Sequence, residues 1–281
     1  MLKVDKLTIS FNDEIGNGTV VDNLSFSLKN GEILALVGES GSGKSMTALS
    51  IIGLLKKTAK VQGRIDLDGV NLVGLSKKER RKYMGDDIAM IFQEPMTSLN
   101  PVVRVGRQVE EMIKLHQDYF QHKITKREMK KMVIEMFQKV DLPEPEVIYK
   151  KYPHELSGGM RQRIMIAMAT ICNPKILIAD EPTTALDVQT QEQILSLLKK
   201  INTEKNISII MITHDLNVVA DLADRIIVMH NGNSVEEGTK DEVLCTPKDE
   251  YTKTLIASVP KGKKQVEKKS EEIIVEAKDL S

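Results

Sequence analysis

Ile33-Leu34-Ala35-Leu36-Val37-Gly38-Glu39-Ser40-Gly41-Ser42-Gly43-Lys44-Ser45 is the stretch that decides the fold. It opens on an unbroken apolar run, Ile33 to Val37, which suits a strand covered on both faces, as in a parallel sheet. The glycine-rich loop Gly38 to Ser45 follows, and Lys44 to Leu55 then reads as a helix. Strand, loop and helix in that order are the setting in which G-x-x-x-x-G-K-S cradles phosphate. Gly38, Gly41 and Gly43 let backbone N–H groups turn inward, and the helix amino terminus adds the positive end of its dipole. Lys44 is expected on the terminal phosphates and Ser45 on Mg2+.

Upstream, Leu2 to Phe11 alternates like a strand with an imperfect period, 12–18 is turn-rich, and Val20 to Leu28 reads as another strand. Gly63 to Val73 reads as a short strand pair turning at Asp68-Gly69. Residues 100–152 change character. They are rich in Met, Lys, Glu and Gln, and Met129, Met132, Val133 and Met136 recur at helical spacing, with the methionines as core filler. Alternation then resumes: a helix at Arg161–Cys172, a strand at Ile176–Ala179, a helix at Gln189–Lys200, a strand at Ser208–Ile212, a helix at Leu216–Leu222 and a strand at Ile226–Met229. The expected fold is α/β: a P-loop NTPase core with a mainly parallel sheet, an antiparallel β subdomain and a helical subdomain inserted at about 94–170, all within residues 1–260. Residues 261–281 turn to Lys and Glu with few apolar positions and read as a flexible charged tail. Val275 to Ser281 loosely repeats Leu2 to Thr8, either by chance or because a second, similar domain begins there, which would make the tail a linker.

The chain has 281 residues, 41% hydrophobic and 28% charged, with a formal net charge of zero. Nothing global therefore favours nucleic acid or an anionic membrane. Cys172 and Cys245 fit no metal or redox spacing and read as two reduced thiols. The first residues carry no secretory pattern, and no apolar run approaches the roughly 20 residues that span a bilayer. Work at a membrane would have to go through a partner.

Further residues carry chemistry. Ile176 to Asp180 is a second apolar strand ending in a carboxylate, and Glu181 follows it. Two acids at one strand end can divide labour, Asp180 holding Mg2+ and Glu181 polarising the attacking water. The Gln93 amide can sense both metal and water. His214 ends the strand from Ser208, where a sheet crevice would bring it near a terminal phosphate. Leu156-Ser157-Gly158-Gly159 opens a helix and so makes a second anion-binding amino terminus. It has no use inside a single phosphate loop. A chain carrying both halves can complete two sites by facing another copy or a relative head to tail.

Taken in order, these motifs resemble the nucleotide-binding domains of ABC transporters, over residues 2–260. The resemblance implies ATP and Mg2+ as ligands, with Gly38, Ser40, Gly41, Ser42, Gly43, Lys44, Ser45 and Thr47 around the nucleotide. It also implies Ser45, Gln93 and Asp180 at the metal, and Glu181, His214, Gln93 and Lys44 in catalysis. Ser157, Gly158 and Gly159 would belong to the signature that meets ATP across a dimer. Thr184-Ala185-Leu186-Asp187 looks like the D-loop, and Phe11 sits where the family sets an aromatic ring against adenine.

Phe92-Gln93-Glu94-Pro95-Met96-Thr97-Ser98-Leu99-Asn100-Pro101, Tyr152-Pro153-His154-Glu155, the signature with Met160-Arg161-Gln162-Arg163, and Ala179 to Asp187 are similar to the ATPase subunits of dipeptide, oligopeptide and nickel importers. Tyr251 to Pro260 is similar to their carboxy-terminal docking region. That likeness implies two transmembrane permease subunits, contacted through the helical segment from Gln93 to Lys151. It implies a second ABC ATPase, a sister subunit rather than an identical copy, and indirectly an extracytoplasmic substrate-binding protein. No nucleic acid is expected, and the location implied is peripheral, on the cytoplasmic face of the membrane. The cysteine-rich segment that many of these relatives carry after this point has no counterpart here, so no iron–sulfur cluster is expected. The rival expectation is a soluble ABC-type ATPase acting on ribosomes or DNA without a membrane partner.

Overall fold

The computed structural model describes residues 1–13, 16–93, 98–117, 120 and 123–258, and only the backbone of 12, 13, 16 and 17. The segment 94–97 after Gln93, residues 259–260 and the charged tail 261–281 with its echo of the first strand lie outside the described residues.

The chain opens with a long antiparallel pair, β1 (Leu2–Asp13) and β2 (Gly16–Leu28), then β3 (Ile33–Val37), the phosphate-type loop and α1 (Lys44–Ile52). Next come β4 (Ala59–Leu67), β5 (Val70–Asn71), the short α2 (Lys77–Arg80) and β6 (Ile88–Ile91). Among the described residues there follow α3 (Val105–Leu115), α4 (Lys126–Lys139), α5 (Pro145–Ile148) and α6 (Gly158–Thr170). The alternation then resumes with β7 (Ile176–Asp180), α7 (Val188–Lys205), β8 (Ser208–Thr213), α8 (Leu216–Leu222), β9 (Arg225–His230) and β10 (Asn233–Thr239). Helices α9 (Lys240–Cys245) and α10 (Glu250–Ala257) complete the order.

Two sheets result. One is antiparallel, in the order β2-β1-β4-β5; the other runs β10-β9-β3-β8-β7-β6, parallel throughout except for β10. This is the expected α/β class. Strands β3, β7 and β8 are buried at every residue, which is why their sequences are continuous apolar runs. Their carboxyl ends converge on one edge, the place where open α/β sheets hold ligands.

The imperfect alternation of β1 has a local cause. Lys6 takes φ 50° where the register shifts, and Gly63 of β4 packs so closely that a Cβ there would sit 2.3 Å from the Lys6 carbonyl oxygen. The bulge turns Leu7 and Ile9 back to the face of Leu2 and Val4, and all four are buried.

The helical insertion sits between β6 and β7. Helix α3 buries Val105, Val109 and Ile113, and α4 buries Met129, Val133, Met136 and Phe137, in one cluster with Ile164, Ile166 and Leu177. Thr125 and Glu128 cap α4 reciprocally. Of the methionines at helical spacing, Met129 and Met136 are core, and Met132 is half-buried and packs against it.

The structure corrects several boundaries. The helix after the loop stops at Ile52, not Leu55, because Gly53 adopts φ 78° and closes it from the left-handed region. The strands flanking the first turn reach Asp13 and restart at Gly16, so the turn is shorter than 12–18. The second antiparallel unit begins at Ala59, before Gly63. Strand β6, only Ile88 to Ile91, and the polar edge strand β10 gave no periodic signal in sequence.

Candidate active site

The loop between β3 and α1 needs its glycines. Gly38 has φ 147°, and a Cβ there would lie 2.1 Å from the Met229 carbonyl; Gly43 has φ 98° and would meet the Val20 carbonyl at 2.8 Å. The backbone is thus pressed between β9 and β2, and no side chain fits. Ser40 is exposed, Ser42 is buried, and a Cβ on Gly41 would meet nothing within 4 Å. Lys44 is buried and folds back on the loop, donating to the carbonyls of Gly38 (2.7 Å) and Glu39 (2.7 Å) and to Ser42 Oγ (3.2 Å). Burial pushes its ammonium below the usual range, against the pull of the Glu181 and Asp180 carboxylates. Thr47 is fully buried under the loop, and its hydroxyl donates to the Gly43 carbonyl at 3.0 Å.

Two carboxylates face this loop from the end of β7. Ser45 Oγ donates to Asp180 Oδ1 at 3.1 Å. Burial raises the Asp180 carboxyl above its ordinary value, and the neighbouring Glu181 charge adds to that, while the Ser45 bond opposes it. The Ser45 hydroxyl and the Asp180 carboxylate are hard oxygen donors side by side, the kind that hold Mg2+ together with substrate phosphates.

Glu181 lies at the centre of a separate network. Its Oε2 accepts from Gln93 Nε2 (2.7 Å) and Thr184 Oγ1 (2.9 Å), and its Oε1 faces His214 Nδ1 at 3.0 Å. Its own backbone N–H donates to the Ile212 carbonyl (2.8 Å), so the turn after β7 is tied to β8. Glu181 holds φ 46°, a left-handed conformation that costs a non-glycine residue energy and recurs at functional sites. Burial pushes its carboxyl up, but the bonds from His214, Thr184 and Gln93 outweigh that and hold it below its ordinary 4.5. Gln93, Glu181 and His214, far apart in sequence, thus share one carboxylate. Thr184 is the partner that sequence reading missed. It was visible only as part of a loop motif, and a turn in which its N–H donates to the Glu181 carbonyl (3.2 Å) brings it back to that residue.

Ser157, Gly158, Gly159 and Asp187 form another group. Ser157 caps α6, accepting from the Met160 N–H at 3.3 Å, and Asp187 caps α7, accepting from Thr190 N (2.9 Å) and Thr190 Oγ1 (2.7 Å). The Thr190 bonds hold the exposed Asp187 carboxyl low. The two helix starts pack on each other: a Cβ on Gly159 would come within 2.6 Å of Thr190 Cγ2, and one on Gly158 within 3.3 Å of Leu186 Cδ2. Among the described residues no hydrogen bond joins this group to the loop Gly38–Ser45. Phe11 is half-buried on β1, opposite Gly18 and Ala59, and leans on the cluster beneath the antiparallel sheet.

A cavity of about 960 Å³ opens beside Gln93, where the helical insertion meets the core. Phe92, Leu99, Leu115 and Met168 form part of its apolar wall, and Arg81, Asp86 and His116 its polar border. Leu115 is 69% exposed there. Among the described residues no helix is long and apolar enough to cross a membrane.

The ABC transporter family profile matches residues 21–184. The dipeptide transport ATP-binding protein DppD of Escherichia coli (strain K12) is 46% identical over 261 residues, which cover 92% of this chain and 78% of that protein. The glutathione import ATP-binding protein GsiA of Shigella dysenteriae serotype 1 (strain Sd197) is 48% identical over 267 residues, covering 92% of this chain and 42% of GsiA. This chain thus spans less than half the length of GsiA. A dimeric ATP-binding cassette in a post-hydrolysis state, bound to ADP and Pi, superposes with a TM-score of 0.76 at 31% identity, over 85% of this chain and 99% of that one. The loop, the acidic pair and the signature-like helix lie within the span these proteins share, and the chain belongs to the ABC transporter family as an ATP-hydrolysing cassette.

Proposed function

We propose that this chain is the ATP-hydrolysing subunit of an importer for peptides, dipeptide or oligopeptide, with nickel as the other cargo its resemblance allows. The observation that carries the chemistry is Glu181, held ionised by Gln93, His214 and Thr184 beside the Ser45–Asp180 pair. Lys44 exchanges the Gly38 and Glu39 carbonyls for the β- and γ-phosphates, and the N–H groups of Gly41 to Ser45 line the cradle with Ser40 at its rim. Glu181 takes a proton from water as the water oxygen bonds to the γ-phosphorus and the bond to the ADP oxygen breaks. Gln93 and His214 keep the carboxylate aimed. Ser45 and Asp180 fit Mg2+, and Gln93, which bonds the neighbouring Glu181, would join them at the metal. When bound, that ion neutralises charge on the phosphate oxygens. Phe11 supports the adenine end, and Thr47 serves from below by fixing the Gly43 carbonyl.

Ser157, Gly158, Gly159 and Asp187 have no role in this chain's own cradle, and they act on ATP bound by a second cassette. A sister subunit is favoured over an identical copy. The apolar cavity beside Gln93 would take a helix from one of two permease subunits, the second cassette taking one from the other, which puts the chain on the cytoplasmic face of the membrane, peripherally, and only indirectly in touch with an extracytoplasmic binding protein. Residues 1–260 form the ATPase domain with its helical insertion at about 94–170, and 261–281 serve as tail or linker. DppD and GsiA are both named for transport, which disfavours a soluble ATPase working on ribosomes or DNA.

Glu181→Gln tests the reading. It should bind ATP while hydrolysis falls at least about 100-fold, the scale of a lost general base; Lys44→Ala should lose nucleotide affinity instead. Hydrolysis by Glu181→Gln at the wild-type rate would contradict the assignment.

A further inference from the structure

Helix α10 reaches the phosphate loop from the far end of the chain. The Glu39 N–H donates to Tyr251 Oη at 3.1 Å, across 212 residues of sequence. The Tyr251 ring lies on His230, with centroids 3.9 Å apart at 33°. His230 follows Met229, whose carbonyl is the atom that Gly38 accommodates by lacking a Cβ. The helix itself is anchored: Glu236 of β10 accepts from the N–H groups of Lys248 (2.9 Å) and Asp249 (3.1 Å), and Asp249 caps α10 through Tyr251 N and Thr252 N. Tyr251 also packs on the cluster that holds Val37, the last strand residue before the loop, and Val228, its partner on β9.

We infer that Tyr251 is a positioning residue for ATP binding, its hydroxyl bracing the outer rim of the phosphate loop at Glu39. The geometry gives the brace a specific task. Lys44 Nζ now holds the Glu39 carbonyl at 2.7 Å, and turning toward phosphate releases it. Tyr251 holds the N–H of the same residue and does not have to move. The rim therefore keeps its shape while Lys44 changes partner, and the loop binds phosphate without reordering. The inference rests on reading Gly38–Ser45 as the ATP cradle.

The test is ATP titration of the full chain. Tyr251→Phe keeps the ring on His230 and removes only the hydroxyl. Its Kd for ATP should rise about 3- to 10-fold, the worth of one neutral hydrogen bond, and the loss in kcat/KM should sit in KM. Lys253→Ala, on the same helix and paired with Glu250 on its surface, should stay within about twofold of wild type, which a general loosening of α10 would not allow. A Tyr251→Phe affinity within about twofold of wild type, or an equal loss in Lys253→Ala, would overturn the inference. Lys44→Ala measured in parallel separates the two levels: undiminished binding there would overturn the reading of the cradle itself.

Discussion

Asp180 and Glu181 are neighbours with opposite electrostatic fates. Asp180 is raised by burial, so its ionised form is disfavoured in the fold. Above its folded value it costs stability, and the cost fades as pH falls toward the ordinary 3.8. Asp180→Asn should therefore raise Tm at neutral pH, by about 2–4 °C if the relief is near 1 kcal/mol, with the gain shrinking at acid pH, while hydrolysis is lost. Glu181 is lowered, so it contributes stability that is full above 4.5 and lost as pH falls through its folded value. Glu181→Gln should lower Tm at neutral pH, not raise it. Thermal scans at pH 7 and pH 4.5 check both signs, and a shared sign would contradict this account. These two residues were legible from their place at the end of an apolar run. The sign difference was not, since it depends on which of them Gln93, Thr184 and His214 reach.

At the scale of elements, the packed starts of α6 and α7 join the signature-like stretch to the D-loop-like one. With Gly159 against Thr190, any side chain at 159 must displace the methyl of Thr190, whose hydroxyl and N–H hold Asp187. Gly159→Val should lower hydrolysis more than tenfold, taking about 1–3 kcal/mol of stability with it, and leave ATP binding by the separate chain intact, since among the described residues no hydrogen bond links this group to the cradle. Loss of binding in titration would mean that the stretch serves its own chain's nucleotide. Buried strands such as β3 and β8 were legible because an unbroken apolar run has few alternatives. Strand β6 was not: its four residues follow a charged stretch, and its pairing with β7 is a tertiary fact. The α10 contact with the loop was equally hidden, since nothing local marks Tyr251 as a partner of Glu39.

At the scale of the molecule, an apolar cavity lies between the core and the helical insertion, lined by Phe92, whose neighbour Gln93 bonds the proposed base. A partner helix seated there, as proposed, would bear on the Gln93 segment and would connect hydrolysis mechanically to the membrane partner. Leu115→Asp, at the exposed edge of that cavity, should weaken retention at the membrane while the chain's own ATP affinity stays unchanged; equal recovery from membranes would move the docking face elsewhere. The most direct measurement is to trap the Glu181→Gln protein with ATP in its own cells, purify it from solubilised membranes and identify by mass spectrometry what accompanies it. The account expects two multi-span membrane proteins and a second ATPase. Recovery only from the soluble fraction, with ribosomal or DNA-bound proteins, would contradict transport and leave the ATPase chemistry alone standing.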